Sequence, residues 1–299
     1  VISAKISARY RPWLRIGTCS WKYDSWKGLV YDEGKTYRPD DYLADYARVF
    51  NTVEVDQWFW SLFPGGIKLP DPRVAKHYAA SVPGDFVFTV KAPNSLTLTH
   101  YYDRETSGPL RGQPNPRFLD GKLLSEFLER LAPLGTKLGP VMFQFEYLNK
   151  QKMPAKEAFF ERFGDFISQA PKGHQYALEI RNPNYLSPAF FDFLKQYELG
   201  FVYLEGYYMP RIGEVLDRFK PVTAPFSIIR LQGGDRADIE AETGGFWNKI
   251  ISPKPERIED GVRIVRHNTR SKVLTYLNLN NHFEGSAPLT AGRLLQALT

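Results

Sequence analysis

The sequence predicts an α/β fold of one kind, a (β/α)8 TIM barrel, and three observations carry the prediction. Apolar, β-rich runs alternate with amphipathic helical stretches almost throughout the 299 residues, and strands alternating with helices imply parallel βαβ units. About eight such units fit a chain of this length. The helix-to-strand connections are short while the strand-to-helix connections are often long, and in a barrel the long loops gather at the strand C-termini, where function resides. The competing class, an open doubly wound sheet, usually shows a Gly-rich phosphate fingerprint after its first strand. GTCSW, residues 17–21, is not that fingerprint.

The elements follow in order. The first strand is LRIGTCS (14–20), followed by a long loop from about Trp21 to Arg38 and the helix PDDYLADYARVF (39–50). Asn51 alone leads into the second strand, TVEVDQ (52–57). The third strand, FVFTVKA (86–92), feeds a loop rich in Gly, Pro and Arg (100–117) and then the helix GKLLSEFLERLAPL (121–134). PVMFQFE (140–146) and AKEAFFERFGDFISQA (155–170) form the fourth unit, and YALEIR (176–181) with SPAFFDFLKQY (187–197) the fifth. GFVYLEG (200–206) is the sixth strand and FSIIRLQ (226–232) the seventh, with a long loop containing two Gly-Gly pairs after it (233–255). VLTYLNLN (273–280) and APLTAGRLLQAL (287–298) close the ring. Residues 1–13 read as a basic arm outside the fold and 14–299 as one barrel domain, without internal repeat or interdomain linker.

Composition narrows the classes. With 43% hydrophobic and 15% aromatic residues the chain is not disordered. A single cysteine, Cys19, excludes an intramolecular disulfide framework and a Cys-only metal cluster, and it fits a reducing cytoplasm. No apolar run reaches membrane-spanning length, so no membrane partner is expected. The net charge of +6 permits an anionic partner, but the basic residues are scattered rather than gathered as in a dedicated nucleic-acid binder.

Alternation along each strand separates a helix-facing from an inward-facing set. In YALEIR, Leu178 and Ile180 face the helices while Ala177, Glu179 and Arg181 face in. The same parity sends inward Glu54 and Asp56, Thr89 and Lys91, Gln144 and Glu146, Glu205, Arg230 and Gln232, and Tyr276, Asn278 and Asn280. In the first strand it sends inward Thr18 and Ser20. An ordinary barrel interior is filled with Val, Ile and Leu. Buried charges without partners cost several kcal/mol or more each, so a connected network is expected, with Glu54 beside Lys91 and Glu205 beside Arg181 or Arg230.

The same segments carry a resemblance. GTCSW with a following Trp26-x-Gly28, then FNTVEVDQWFW, FVFTVKAP, LAPLGTKLGPVMFQF, YALEIRNP and NNHFEGSAP occur in that order. Together they resemble the domain-of-unknown-function family 72, the YecE-like proteins, over about residues 14 to 298. The resemblance implies a TIM barrel and supplies no activity. The chain departs from the family pattern in three places. Asp56 to Trp60 stand where the family usually shows Asn-Ser-Thr-Phe-Tyr, Gln232 stands where a His is common, and Glu146-Tyr147 stand where a Pro pair usually follows the fourth strand.

The leading chemistry is acid–base catalysis on a small polar ligand, anionic or hydroxyl-rich. Glu54 and Glu179 sit on different strands beside cations, surroundings that separate the pKa values of two carboxyls into an acid and a base. Lys91 and His282 join them as catalytic candidates. Thr18, Trp21, Asp56, Gln144, Arg181, Arg230, Asn280 and Asn281 are the candidate substrate-binding residues. A Schiff base at Lys91 needs a depressed pKa, and neighbouring carboxylates are expected to raise it instead. A divalent metal held by His100 or His282 with Glu54 or Glu179 is weighed, but no tight ligand spacing marks such a site and none is assigned. No cofactor is named by any motif. The alternatives are a nucleic-acid or phosphodiester-processing protein using the basic loops, and a non-catalytic ligand-binding barrel.

Overall fold

The computed structural model describes residues 6–103, 105–234 and 236–299. Eight strands lie in one sheet: β1 (Leu14–Thr18), β2 (Thr52–Val55), β3 (Val87–Lys91), β4 (Leu138–Gln144), β5 (Tyr176–Glu179), β6 (Gly200–Gly206), β7 (Phe226–Gly233) and β8 (Leu274–Leu279). They pair in parallel in the order β1-β8-β7-β6-β5-β4-β3-β2. The ring comes round through a parallel bridge between Cys19 and Glu54, where the Ser20 N–H donates to the Glu54 carbonyl at 3.1 Å.

A helix follows each strand: α1 (Tyr42–Tyr46), α2 (Pro72–Ala80), α3 (Gly121–Leu131), α4 (Lys156–Ser168), α5 (Pro188–Gln196), α6 (Ile212–Phe219), α7 (Pro255–Arg270) and α8 (Ala287–Leu298). Their starts are written locally. The Asp71 side chain accepts from the Arg73 N–H, that of Asp120 accepts from Lys122 and Leu123, and Pro stands in the first turn of α2, α5, α7 and α8. The first predicted helix, 39–50, keeps only the five residues of α1, with turns on either side. The long βα loops hold elements that periodicity did not predict: a hairpin (Leu62–Phe63 with Gly66–Ile67) and the short helices Asn94–Thr97, Arg236–Thr243 and Asn281–Glu284.

Two apolar layers position the mouth. The larger lies between sheet and helices, where aromatic side chains such as Phe143, Phe145, Phe159 and Phe163 pack edge to face or stacked. Tyr10 is buried in it and Ile6 packs against it, so the expected arm touches the barrel. The smaller layer plugs the barrel interior with Met142, Ala177, Val202, Phe226, Ile228 and Tyr276. Polar residues begin one step nearer the strand C-termini.

Two strands run opposite to the expected parity. On β6, Val202 stands beside Ile228 and Leu204 beside Arg230, so these two face inward. Glu205 therefore lies outside the barrel, accepts from the Ile212 N–H at 3.1 Å and pairs with Arg257, not with Arg181 or Arg230. A carboxylate is favoured there because it meets the first N–H groups of α6. On β1, Gly17 stands beside the inward Asn278, so Thr18 faces out, its hydroxyl 2.9 Å from the Tyr46 hydroxyl. Cys19 takes the inward place expected of its neighbours, and Ser20, at φ 67°, leaves the strand conformation altogether. No helix among the described residues is long and apolar enough to cross a membrane.

Candidate functional site

At the C-terminal ends of the strands lies a cavity of about 440 Å³. Its floor is a buried ion cluster centred on Arg230 of β7. The guanidinium grips Glu54 with two parallel bonds, Nε to Oε2 at 2.7 Å and Nη2 to Oε1 at 2.6 Å. Its Nη1 donates to Glu179 of β5 and reaches Gln144 Oε1 of β4 at 3.4 Å. Arg181 Nε donates to the other oxygen of Glu179 at 3.2 Å. Asn278 Nδ2 donates to Glu54 Oε2 at 3.2 Å and to Thr89 Oγ1 at 3.0 Å. Charges this deep are tolerated because each carboxylate is hydrogen-bonded to a cation.

The electrostatics follow from that geometry. Burial opposes the charge on Glu179, but Arg230, then Arg181 and Lys91, outweigh it and hold the carboxyl below the usual range. Burial likewise opposes the charge of Arg230, and Glu179 and Glu54 outweigh it and push the guanidinium well above its ordinary value. Glu54 and Glu179, expected to divide into an acid and a base, both bind Arg230. The expected pair of Glu54 with Lys91 is replaced by these bonds.

Lys91, at the end of β3, is left without a carboxylate of its own. Its Nζ lies 3.8 Å from the centroid of the Phe59 ring and forms no salt bridge among the described residues. A ring face favours the ammonium modestly. Burial, followed by the charge of Arg230, acts the other way and brings the lysine down to about 8, against Glu54, Glu179 and Asp56. The carboxylates do raise this lysine as expected, but burial and then Arg230 outweigh them and the net shift is downward. Asp56 lines the same cavity and moves oppositely: burial and then Glu54 push its carboxyl up.

The rim comes from loops. Phe59 and Trp60 follow β2, with Trp60 half-exposed, and Tyr23, Tyr102, Tyr207 and Arg236 stand around the opening. Tyr207 stacks on Arg181, Cζ to ring centroid 3.8 Å. A polar chain runs along one wall: Gln232 Nε2 donates to Cys19 Sγ at 3.1 Å, and Asn280 Nδ2 donates to Gln232 Oε1 at 3.0 Å. His282 contacts Asn280 Oδ1 at 2.6 Å and Glu240 Oε1 at 3.0 Å, and burial holds its pKa down against the pull of Glu240.

Of the residues expected from the sequence, Glu54, Asp56, Lys91, Gln144, Arg181, Arg230, Asn280 and His282 line the cavity, and Glu179 lies buried beneath it. Three do not reach it. Thr18 faces α1. Trp21 is buried edge-on against Tyr78, centroids 5.1 Å apart. Asn281 turns its Oδ1 to the Ala287 N–H at 2.9 Å and caps a turn. Trp58 also stacks on Tyr78 rather than facing the mouth. Residues that sequence reasoning did not assign are Cys19, hidden by the reversed parity of β1, and the loop residues Tyr23, Phe59, Trp60, Tyr102, Glu146, Tyr207 and Arg236. His100 bonds Thr99 Oγ1 at 2.9 Å and lines a separate cavity with Glu146 and Lys152, away from His282. Among the described residues no group of three or more His, Cys, Asp or Glu side chains converges as a metal site would require.

Fold and cavity together define a (β/α)8-barrel protein with a charged, ligand-sized opening at the C-terminal mouth. The chain belongs to the family described as "Protein of unknown function DUF72", whose sequence model matches residues 15–299. It is similar to UPF0759 protein YecE of Escherichia coli K12, 27% identical over 173 residues, which are 58% of this chain and 50% of that protein. The match thus spans about half the length of that curated relative. Among solved structures, a DUF72 family protein from Thermotoga maritima superposes with a TM-score of 0.66 at 22% identity, covering 96% of this chain and 99% of that one. A DUF72 family protein from Enterococcus faecalis gives 0.65 at 18% identity, covering 95% of each chain. A psychrophilic glycoside hydrolase family 10 endo-β-1,4-xylanase gives 0.51 at 11% identity, covering 96% of this chain and 98% of that one. These last likenesses concern the fold.

Proposed function

We propose that the mouth is the active site of an enzyme that performs acid–base chemistry on a small polar substrate, anionic or hydroxyl-rich. The observation that carries the reading is a pair of groups facing one cavity whose pKa values move toward each other, Lys91 downward to about 8 and Asp56 upward. Groups shifted in this way by burial and by neighbouring charges are the ones that exchange protons near neutrality. Glu54, Glu179 and Arg230 act in this reading as the fixed field beneath them. The size of the cavity fits a small molecule. The xylanase likeness, at 11% identity, concerns the fold and is not carried over as chemistry.

A thermal-shift screen of sugar acids, polyols, sugar phosphates and 2-oxo acids, followed by NMR in D2O of each stabilising compound, tests the reading. The expected result is conversion or solvent exchange that falls about 10²–10⁴-fold in Asp56→Asn and Lys91→Met while binding persists. Equal turnover by both variants, or the absence of any stabilising compound, overturns it.

A further inference from the structure

The lysine in the mouth has surroundings that general proton transfer does not require. Lys91 is nine-tenths buried, stands against an aromatic face, and shares its cavity with the guanidinium of Arg230, which is itself bound to Glu54. A lysine desolvated in an apolar pocket, or set next to another cation, is activated as a nucleophile. Two further residues on the same cavity complete the requirements. Asp56 is a carboxyl kept protonated to higher pH than usual by burial. Arg181 gives only its Nε to Glu179 among the described residues, stacks on the Tyr207 ring and lines the opening.

We propose that Lys91 forms an imine with the substrate, which is therefore a carbonyl compound, an aldehyde, ketone or 2-oxo acid of a size to fit the mouth. This rests on the reading of the mouth as an active site and names its substrate class. The lone pair of the neutral Lys91 amine attacks the carbonyl carbon and the π pair moves to oxygen. Proton transfer from nitrogen to that oxygen, relayed through Asp56, gives the carbinolamine. The Asp56 carboxyl then protonates the hydroxyl, the C–O bond breaks, and water leaves with its electron pair. The nitrogen lone pair closes the C=N bond, so that amine, carbonyl and carboxylic acid become iminium, water and carboxylate with no change of oxidation state. Arg181 meets an adjacent carboxylate or phosphate by charge-assisted hydrogen bonds.

The test is reductive trapping. The intact protein is incubated with pyruvate or dihydroxyacetone phosphate and sodium borohydride at pH 8, and adducts are located by peptide mapping. At this pH a lysine at about 8 is half neutral, about 100-fold more free amine than an ordinary lysine supplies. The expected result is one adduct per chain, on Lys91, formed on the order of 10-fold or more faster than on the exposed Lys122. That adduct is absent from Lys91→Met and unchanged in Lys122→Met. The site is read on the wild-type protein, so the result does not depend on how well Lys91→Met folds. Adducts spread over surface lysines, with Lys91 no faster than Lys122, overturn the proposal. So does a compound whose conversion depends on Lys91 but which leaves no trapped adduct; in that case the acid–base reading stands and the imine falls.

Discussion

Arg230 shows what a single residue decides here. It closes both oxygens of Glu54, one oxygen of Glu179, and by its charge helps to lower Lys91. Removing one member of a buried ion cluster leaves the others unpaired and costs about 3–5 kcal/mol. Arg230→Met is therefore expected to lower the urea midpoint by that equivalent. Arg230→Lys is expected to recover little of it, because one ammonium cannot supply two parallel bonds to Glu54 and a third to Glu179. Chemical denaturation of both variants checks this, and a loss below about 1 kcal/mol in Arg230→Lys would remove the cluster as the floor of the site. The sequence led to Arg230, Glu54 and Glu179 as inward charges, since their strands keep a strict period of two. It did not reveal which carboxylate each cation would take, because that depends on where strand ends stand across a ring, not on spacing along the chain.

At the scale of elements, the seam between β1 and β2 is the point at which the barrel closes, and it is closed by a glycine. A Cβ on Gly17 would stand 1.9 Å from the Thr52 carbonyl oxygen and 2.9 Å from the Tyr46 hydroxyl. The nearer atom is backbone and cannot rotate aside, so the two strands must part. Gly17→Ala is expected to cost about 1–3 kcal/mol and to speed hydrogen exchange at Ser20, whose N–H donates across the seam to the Glu54 carbonyl. Unchanged exchange at this amide would mean that the seam is held elsewhere. The same seam explains where the reading of strands failed. Six strands alternate in the expected phase, whereas β1 alternates in the opposite one, with Gly17 beside the inward Asn278 and Thr18 turned out, and Ser20 at φ 67° leaves the strand conformation. On β6 the charge of Glu205 suggested the interior, but the outer layer also offers a charged niche in Ile212 N–H and Arg257. Charge alone does not tell the two faces apart. The rim aromatics were legible only as a crowd, since Trp21 and Trp58 turn to Tyr78 while Phe59 and Trp60 turn to the mouth, a choice made by loop conformation.

For the whole molecule, a lysine kept near 8 is a debt that folding carries and that pH can relieve. The ordinary value is 10.5, so between about 8 and 10.5 the unfolded chain holds a proton on Lys91 that the folded chain has released. Stability rises with pH wherever the unfolded state binds more protons. The penalty is fully present below 8 and disappears as pH climbs through that window, by up to about 3 kcal/mol in total. Of the groups that act on Lys91 beside Glu54 and Asp56, Arg230 stays charged and Glu179 stays ionised throughout, and the Phe59 ring does not titrate. Other groups oppose it. The Cys19 thiol, pushed well up by burial and then by Glu54, and the buried tyrosines lose stability over the same range as their unfolded counterparts ionise. The wild-type curve alone therefore mixes two signs. The difference between wild type and Lys91→Met separates them, because every group but one is common to both chains. Urea denaturation at half-unit steps from pH 7 to 10.5 is expected to show Lys91→Met ahead at pH 7, with the gap closing steadily above pH 8. A gap that stays constant across the range would mean that Lys91 keeps its proton in the folded barrel, and the chemistry assigned to it would fail with that result.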